Sequence, residues 1–153
     1  MILRLWHGSK DRIDRFDPSR SADGGIHFGT EAQARMRNAA VLHEAEIDIG
    51  KVRRCKDRGG DWKERIQAAR RAGYSAIVYL NRYEGLSSET IEELHTKGRL
   101  SGLDDLSDAE FRALVPSAQE SYILWDEGRI KILSVEEACE YRSAANEPGL
   151  NGP

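Results

Sequence analysis

His7, Gly8 and Ser9 close the first apolar run of the chain, residues 2–6, and bring an imidazole, a bare stretch of backbone and a hydroxyl to one rim. Glycine at such a point lets a ligand approach backbone N–H and C=O groups that a Cβ would screen. These residue types suit a pocket for a flat, amide-bearing ligand, and they equally suit a strand that ends in a turn. A second imidazole, His27, lies in the short segment Gly25-Ile26-His27-Phe28, with Thr30 just beyond it. Two carboxylates stand at the ends of later apolar runs: Glu84 in Asn81-Arg82-Tyr83-Glu84, and Glu120 entering Ser121-Tyr122-Ile123-Leu124-Trp125.

The elements that must hold these residues follow from periodicity and caps. Residues 2–6 read as a short strand, and 9–21 as a polar, turn-rich segment with Ile13 and Phe16 one helical turn apart. Gly24-Gly25 opens a brief strand over 26–28. Thr30 is placed to cap a helix over about 31–40. Residues 41–49 alternate, with Val41, His43, Ala45, Ile47 and Ile49 on one face, the pattern of a half-buried strand. His43 therefore reads as a residue of that strand face.

Further along, residues 61–72 form an amphipathic helix closed by Gly73, and 75–80 a β-branched strand. Short helices are expected near 88–97, with Ser88 as cap, and 107–114, where Ser107 and Glu110 make a capping box. Two strands over 122–125 and 129–133 flank an Asp126-Glu127-Gly128 turn, and Ser134 caps a last helix to about Arg142. The tail from Ser143 reads as disordered. About six short strands mixed with helices in no βαβ rhythm give an α+β class. The chain carries no GxGxxG and no P-loop, so any nucleotide is held by other means.

At 153 residues the chain is long enough for one domain with a sizeable core, here 1–143. Charged residues make up 32%, the mean hydropathy is -0.62, and no apolar stretch approaches the ~20 residues of a membrane span. The first residues lack the pattern of a secretory leader. Cys55 and Cys139 sit in no metal-binding spacing and read as reduced thiols, which gives a cytoplasmic expectation with no metal site. The net charge of -3 conceals an asymmetry. From Lys51 to Arg71, nine basic residues face three acidic ones, a net of +6; from Glu84 to Glu120, nine acidic face three basic, a net of −6. Both can be solvated faces; the basic one also suits a phosphate-bearing substrate or a nucleic acid.

Taken in order, Leu5-Trp6-His7-Gly8-Ser9, Gly25-Ile26-His27-Phe28 and Glu120-Ser121-Tyr122-Ile123-Leu124-Trp125-Asp126 followed by Ile130-Lys131 resemble the ADP-ribosyltransferases of the histidine–tyrosine–glutamate type. That family includes poly-ADP-ribose polymerases and phage and bacterial relatives, some of them effector- or toxin-like. Phe16-Asp17-Pro18 is similar to the phage-type members. The resemblance implies a split β-sheet core with peripheral helices, and NAD⁺ as substrate rather than as a resident cofactor. It assigns the dinucleotide to His7, Gly8, Ser9, His27, Phe28 and Thr30, with His7 on ribose hydroxyls and the Gly8 backbone on the nicotinamide amide. His27 stands where the family has a stacking tyrosine.

Cleaving the nicotinamide–ribose bond passes through an oxocarbenium-like state, which a carboxylate near the ribose stabilises. Glu120 is the first candidate for that carboxylate and Glu84 the second. Strand period two makes the choice a matter of one residue of register. The activity implied is transfer of ADP-ribose to a protein, nucleic acid or small molecule. On the same fold stand NAD⁺ hydrolysis, removal of an RNA 2′-phosphate, and a catalytically inactive relative that binds a partner. Residues 85–118 occupy the place of the family's target-recognition loop.

Overall fold

A computed structural model of the chain describes residues 1–36, 39–84 and 86–137. It is an α+β structure of two sheets and four helices. The strands are β1 (Ile2–Ser9), β2 (Ile26–Phe28), β3 (Val41–Asp48), β4 (Val52–Arg54), β5 (Ala76–Leu80), β6 (Glu120–Leu124) and β7 (Ile130–Glu137). The helices are α1 (Glu31–Met36), α2 (Trp62–Arg71), α3 (Ser88–Thr96) and α4 (Asp108–Leu114). One sheet runs β1-β3-β7 and the other β2-β6-β5-β4, antiparallel except for the β4–β5 pair. An isolated bridge between Trp6 and Gly29 joins them at a corner.

The alternation along β3 explains the first sheet. Val41, His43, Ala45 and Ile47 are all buried, and with Leu5 they form one wall of the core. The second sheet supplies the facing wall through Ile26, Phe28, Ala76 and Leu124, and Phe16 closes the seam between them. The opposite face of the second sheet presents Ile77, Tyr79, Ile123 and Trp125 to Ile66 and Ala69 of α2. Each sheet thus loses its apolar face to a partner layer, the main favourable term in such a fold.

Residues 86–118 carry a small core of their own. Leu94, Leu103, Phe111, Val115 and Ala118 gather around Leu80. The fully buried Arg82 pegs this unit to the end of β5: its guanidinium donates to the Leu103 and Leu106 carbonyls, at 2.5 and 2.6 Å, and to Asp108 at 2.9 Å. The capping box of Ser107 and Glu110 begins α4 as expected, whereas α3 is capped by Ser87 instead of Ser88.

Several expected boundaries move. β1 does not stop before the His-Gly-Ser rim but runs through it, because β3 is long enough to pair His7 with His43 and Ser9 with Val41. β4 was hidden in the basic stretch, too short and too charged to show alternation. Ser134 does not cap a helix. Residues 134–137 continue β7, with Ser134 donating to Glu44 and a register shift beside Ala45, so pairing with β3 overrides the local cap signal. Residues 39 and 40, expected at the end of the helix after Thr30, are not helical, while the rest of the helix expected after Ser134, Cys139, the tail from Ser143, residues 37–38 and Gly85 lie outside the described residues.

Candidate functional site

A cleft of about 640 Å³ opens where the end of β1, the 11–25 segment, β2, the 57–62 segment and the end of β5 meet. That is the size range of ligand pockets. His7, His27, Tyr79, Asn81 and Glu84 border both this cleft and a hollow of about 20 Å³, which also touches Gly8 and Ser121.

The corner bridge sets up the rim. Trp6 and Gly29 exchange both backbone hydrogen bonds, at 2.8 and 2.9 Å. In an antiparallel ladder every second residue points its N–H and C=O the same way. Gly8 therefore turns its backbone groups away from β3, toward the gap that opens between β1 and β2. The lack of a Cβ at Gly8 serves another need as well. A Cβ there would lie 2.7 Å from the Ala39 Cβ and 3.0 Å from the Ala34 carbonyl oxygen, so the glycine lets α1 and Ala39 close against β1. Across the gap, His7 Nδ1–H donates to the His27 carbonyl at 2.6 Å, tying the two rims together.

His27 belongs to an aromatic and polar cluster. Its Nε2–H donates to Asp23 at 2.7 Å, and its Nδ1 lies 3.3 Å from the Tyr79 hydroxyl. The Trp62 and Tyr79 rings pack at 4.5 Å with their planes tilted by 38°, and His27 meets each edge-on at 6.4 Å. Burial works against the ionisation of Asp23, but hydrogen bonds from His27, the Gly25 N–H and Ser21 outweigh it and take its pKa down to about 2. Asp57, also on the cleft, is buried, and that burial raises its pKa against the two backbone N–H groups, of Arg82 and Gly59, that it accepts; Glu84 raises it further.

The two candidate carboxylates part here. Glu84 is on the cleft wall. Its turn is shaped by Asn81, whose side-chain oxygen accepts the N–H groups of Tyr83 and Glu84 at 3.3 and 2.8 Å. The Asn81 amide donates to Ser121, and Ser121 in turn to Gln33, a buried polar chain linking β5, β6 and α1 under the cleft floor. Glu120, one residue earlier in β6, lies on the other side of the sheet. It pairs with Arg54 and, at 3.8 Å, with Arg112.

The remaining expected residues divide likewise. His7, Gly8 and His27 come together. Phe28 is buried against His7 and Phe16, at ring distances of 5.8 and 5.3 Å. Ser9 donates to the Asp11 carbonyl, and Thr30 caps α1 through the Gln33 N–H while reaching Gln119; neither borders the cleft. Cleft residues that escaped the sequence reading as site residues include Asp23, Asp57, Trp62, Tyr79 and Asn81. Trp62 and Tyr79 looked like core, and both do pack, but each also leaves ring surface on the cleft. Asp57 lay inside a basic run, and Asn81 appeared only as the start of the segment that holds Glu84.

The 11–25 segment adds Arg12, Arg15 and Arg20 to the wall, of which Arg15 is engaged by Glu127 and Arg12 by Asp14, at 3.0 Å. Among the described residues no group of three or more metal-ligating side chains gathers, and no helix is long and apolar enough to cross a membrane. No protein-family model and no curated protein matches the chain.

Proposed function

We propose that the cleft binds NAD⁺ and that the protein transfers its ADP-ribose to an acceptor, with Glu84 the carboxylate beside the reacting ribose. The observation that carries this reading is the convergence of His7, the Gly8 backbone and His27 at one rim with Glu84 on the same wall. The small hollow has room for about one water, so the nicotinamide ring would lie in the adjoining cleft, among Trp62, Tyr79 and His27, with only its amide reaching Gly8. Arg12 and Arg20 would meet the diphosphate.

In the reaction the C1′–N bond breaks and its electron pair leaves on nicotinamide. The acceptor forms the new bond to C1′ and gives up its proton. Glu84 stabilises the positive charge that develops on the ribose between these events. Incubation with NAD⁺ tests the reading: nicotinamide release, with ADP-ribose appearing on an acceptor, supports it. Absence of binding in calorimetry at millimolar NAD⁺, or a soaked crystal with the dinucleotide elsewhere, overturns it.

One observation favours a second reading. The strand position that faces the cleft holds Ser121 and not an acid. A protein that binds NAD⁺ in this cleft without releasing nicotinamide would be a binding protein built on the same site.

A further inference from the structure

We propose that His43 is a positioning residue that latches the 10–16 segment onto the His7 end of the cleft through an unprotonated Nε2, and that acid releases the latch. His43 is fully buried, in the middle of β3. Its Nε2 lies 2.8 Å from the Ile13 nitrogen. A backbone N–H can only donate, so this ring nitrogen accepts and carries no proton. The ring proton then sits on Nδ1, which points at the His7 carbonyl at 3.3 Å. One imidazole therefore joins the strand that bears His7 to the segment whose Arg12, Ile13 and Phe16 line the cleft.

Protonation breaks this arrangement by valence alone. An imidazolium has two donors and no acceptor, so its Nε2–H would meet the Ile13 N–H head on, and the segment must move or the ring must turn. Burial lowers the pKa of His43 and Arg12 lowers it further, while the His7 carbonyl and Asp14 raise it. From β1 the His7 ring stands 6.1 Å away, and from the latched segment Phe16 meets the ring edge-on at 5.7 Å. On β7 the residue opposite is the apolar Val135, with Glu137 on the diagonal. The latch is closed at neutral pH and opens only in acid.

The binding arm of the test rests on the dinucleotide reading of the cleft; the structural arm does not. In the intact wild-type protein, ¹⁵N NMR should show His43 Nε2 unprotonated at neutral pH, with the Ile13 amide losing its exchange protection as the ring titrates. NAD⁺ affinity should weaken several-fold across the His43 titration, which lies below the ordinary imidazole pKa of 6.5. In His43→Gln, whose amide can accept from Ile13 and donate to His7 without titrating, the Ile13 protection should lose that pH step and the affinity should change less than in the wild type. A protonated Nε2 at neutral pH, or Ile13 protection indifferent to the His43 titration, overturns the latch. If the Ile13 step is present and NAD⁺ binds at no pH, the latch stands and the dinucleotide reading falls.

Discussion

Glu120 and Ser121 are neighbours in β6 and face opposite sides of the sheet, Glu120 toward Arg54 and Arg112, Ser121 toward Asn81 and the cleft. A single step along a strand thus separates a surface ion-pair network from the floor of the candidate site. This is why the carboxylate role moves in the proposal to Glu84, which reaches the cleft from the turn after β5.

Glu84→Gln should leave NAD⁺ affinity within a few-fold and cut nicotinamide release by a factor on the order of 10²–10³, the usual cost of removing one electrostatic stabiliser. Glu120→Gln should leave the rate nearly unchanged and lower stability by at most about 1 kcal/mol, since its partners are half exposed. Steady-state rates and urea melts on both variants decide it. A large rate loss at Glu120 with none at Glu84 refutes the assignment.

Asn81→Ala should both destabilise the protein and slow the proposed nicotinamide release. It removes the acceptor of the part-buried Tyr83 and Glu84 N–H groups and the donor to the buried Ser121, at a cost of about 1 kcal/mol. Because Glu84 loses the turn that aims it, kcat should fall with KM little changed. A variant that loses stability but keeps kcat would reduce Asn81 to a structural role.

Gly8→Ala should lower the melting temperature, since its Cβ would enter the Ala39 side chain and the Ala34 carbonyl, and overpacking of this kind costs about 1–3 kcal/mol. Gly60→Ala is the control, with nothing within 4 Å of the added carbon. Equal melting temperatures for the two variants would mean that α1 gives way freely.

Asp23 should make folding acid-sensitive. Its native pKa of about 2 lies below the ordinary 3.8, so its contribution is complete above pH 3.8 and is lost as the pH falls toward 2. The amount is on the order of 2 kcal/mol. Urea unfolding of the wild type against Asp23→Asn between these limits should show the two stabilities converging in acid; a constant gap would locate the effect elsewhere.

Much of this protein is written locally. The alternation in residues 41–49, the β-branched run before Asn81, the Thr30 and Ser107 caps and the closing of α2 before Gly73 all depend on near neighbours, and each element formed where its side chains called for it. The candidacy of His7, Gly8 and His27 was also legible, because each stands at the rim of a short apolar run, and the structure brings the three together. Other features depended on partners distant in sequence. Residues 134–137 became strand because β3 had an edge to offer, and a cap signal worth about 1 kcal/mol yields to a ladder and its packing. Trp62, Tyr79 and Asp57 became cleft residues only when α2 packed on the face of the second sheet that carries Tyr79 and His27. The face Glu120 presents was decided by the register of β6 against β5, since with a period of two only the paired strand fixes which side is inside, while Glu84 was placed by the turn that Asn81 shapes.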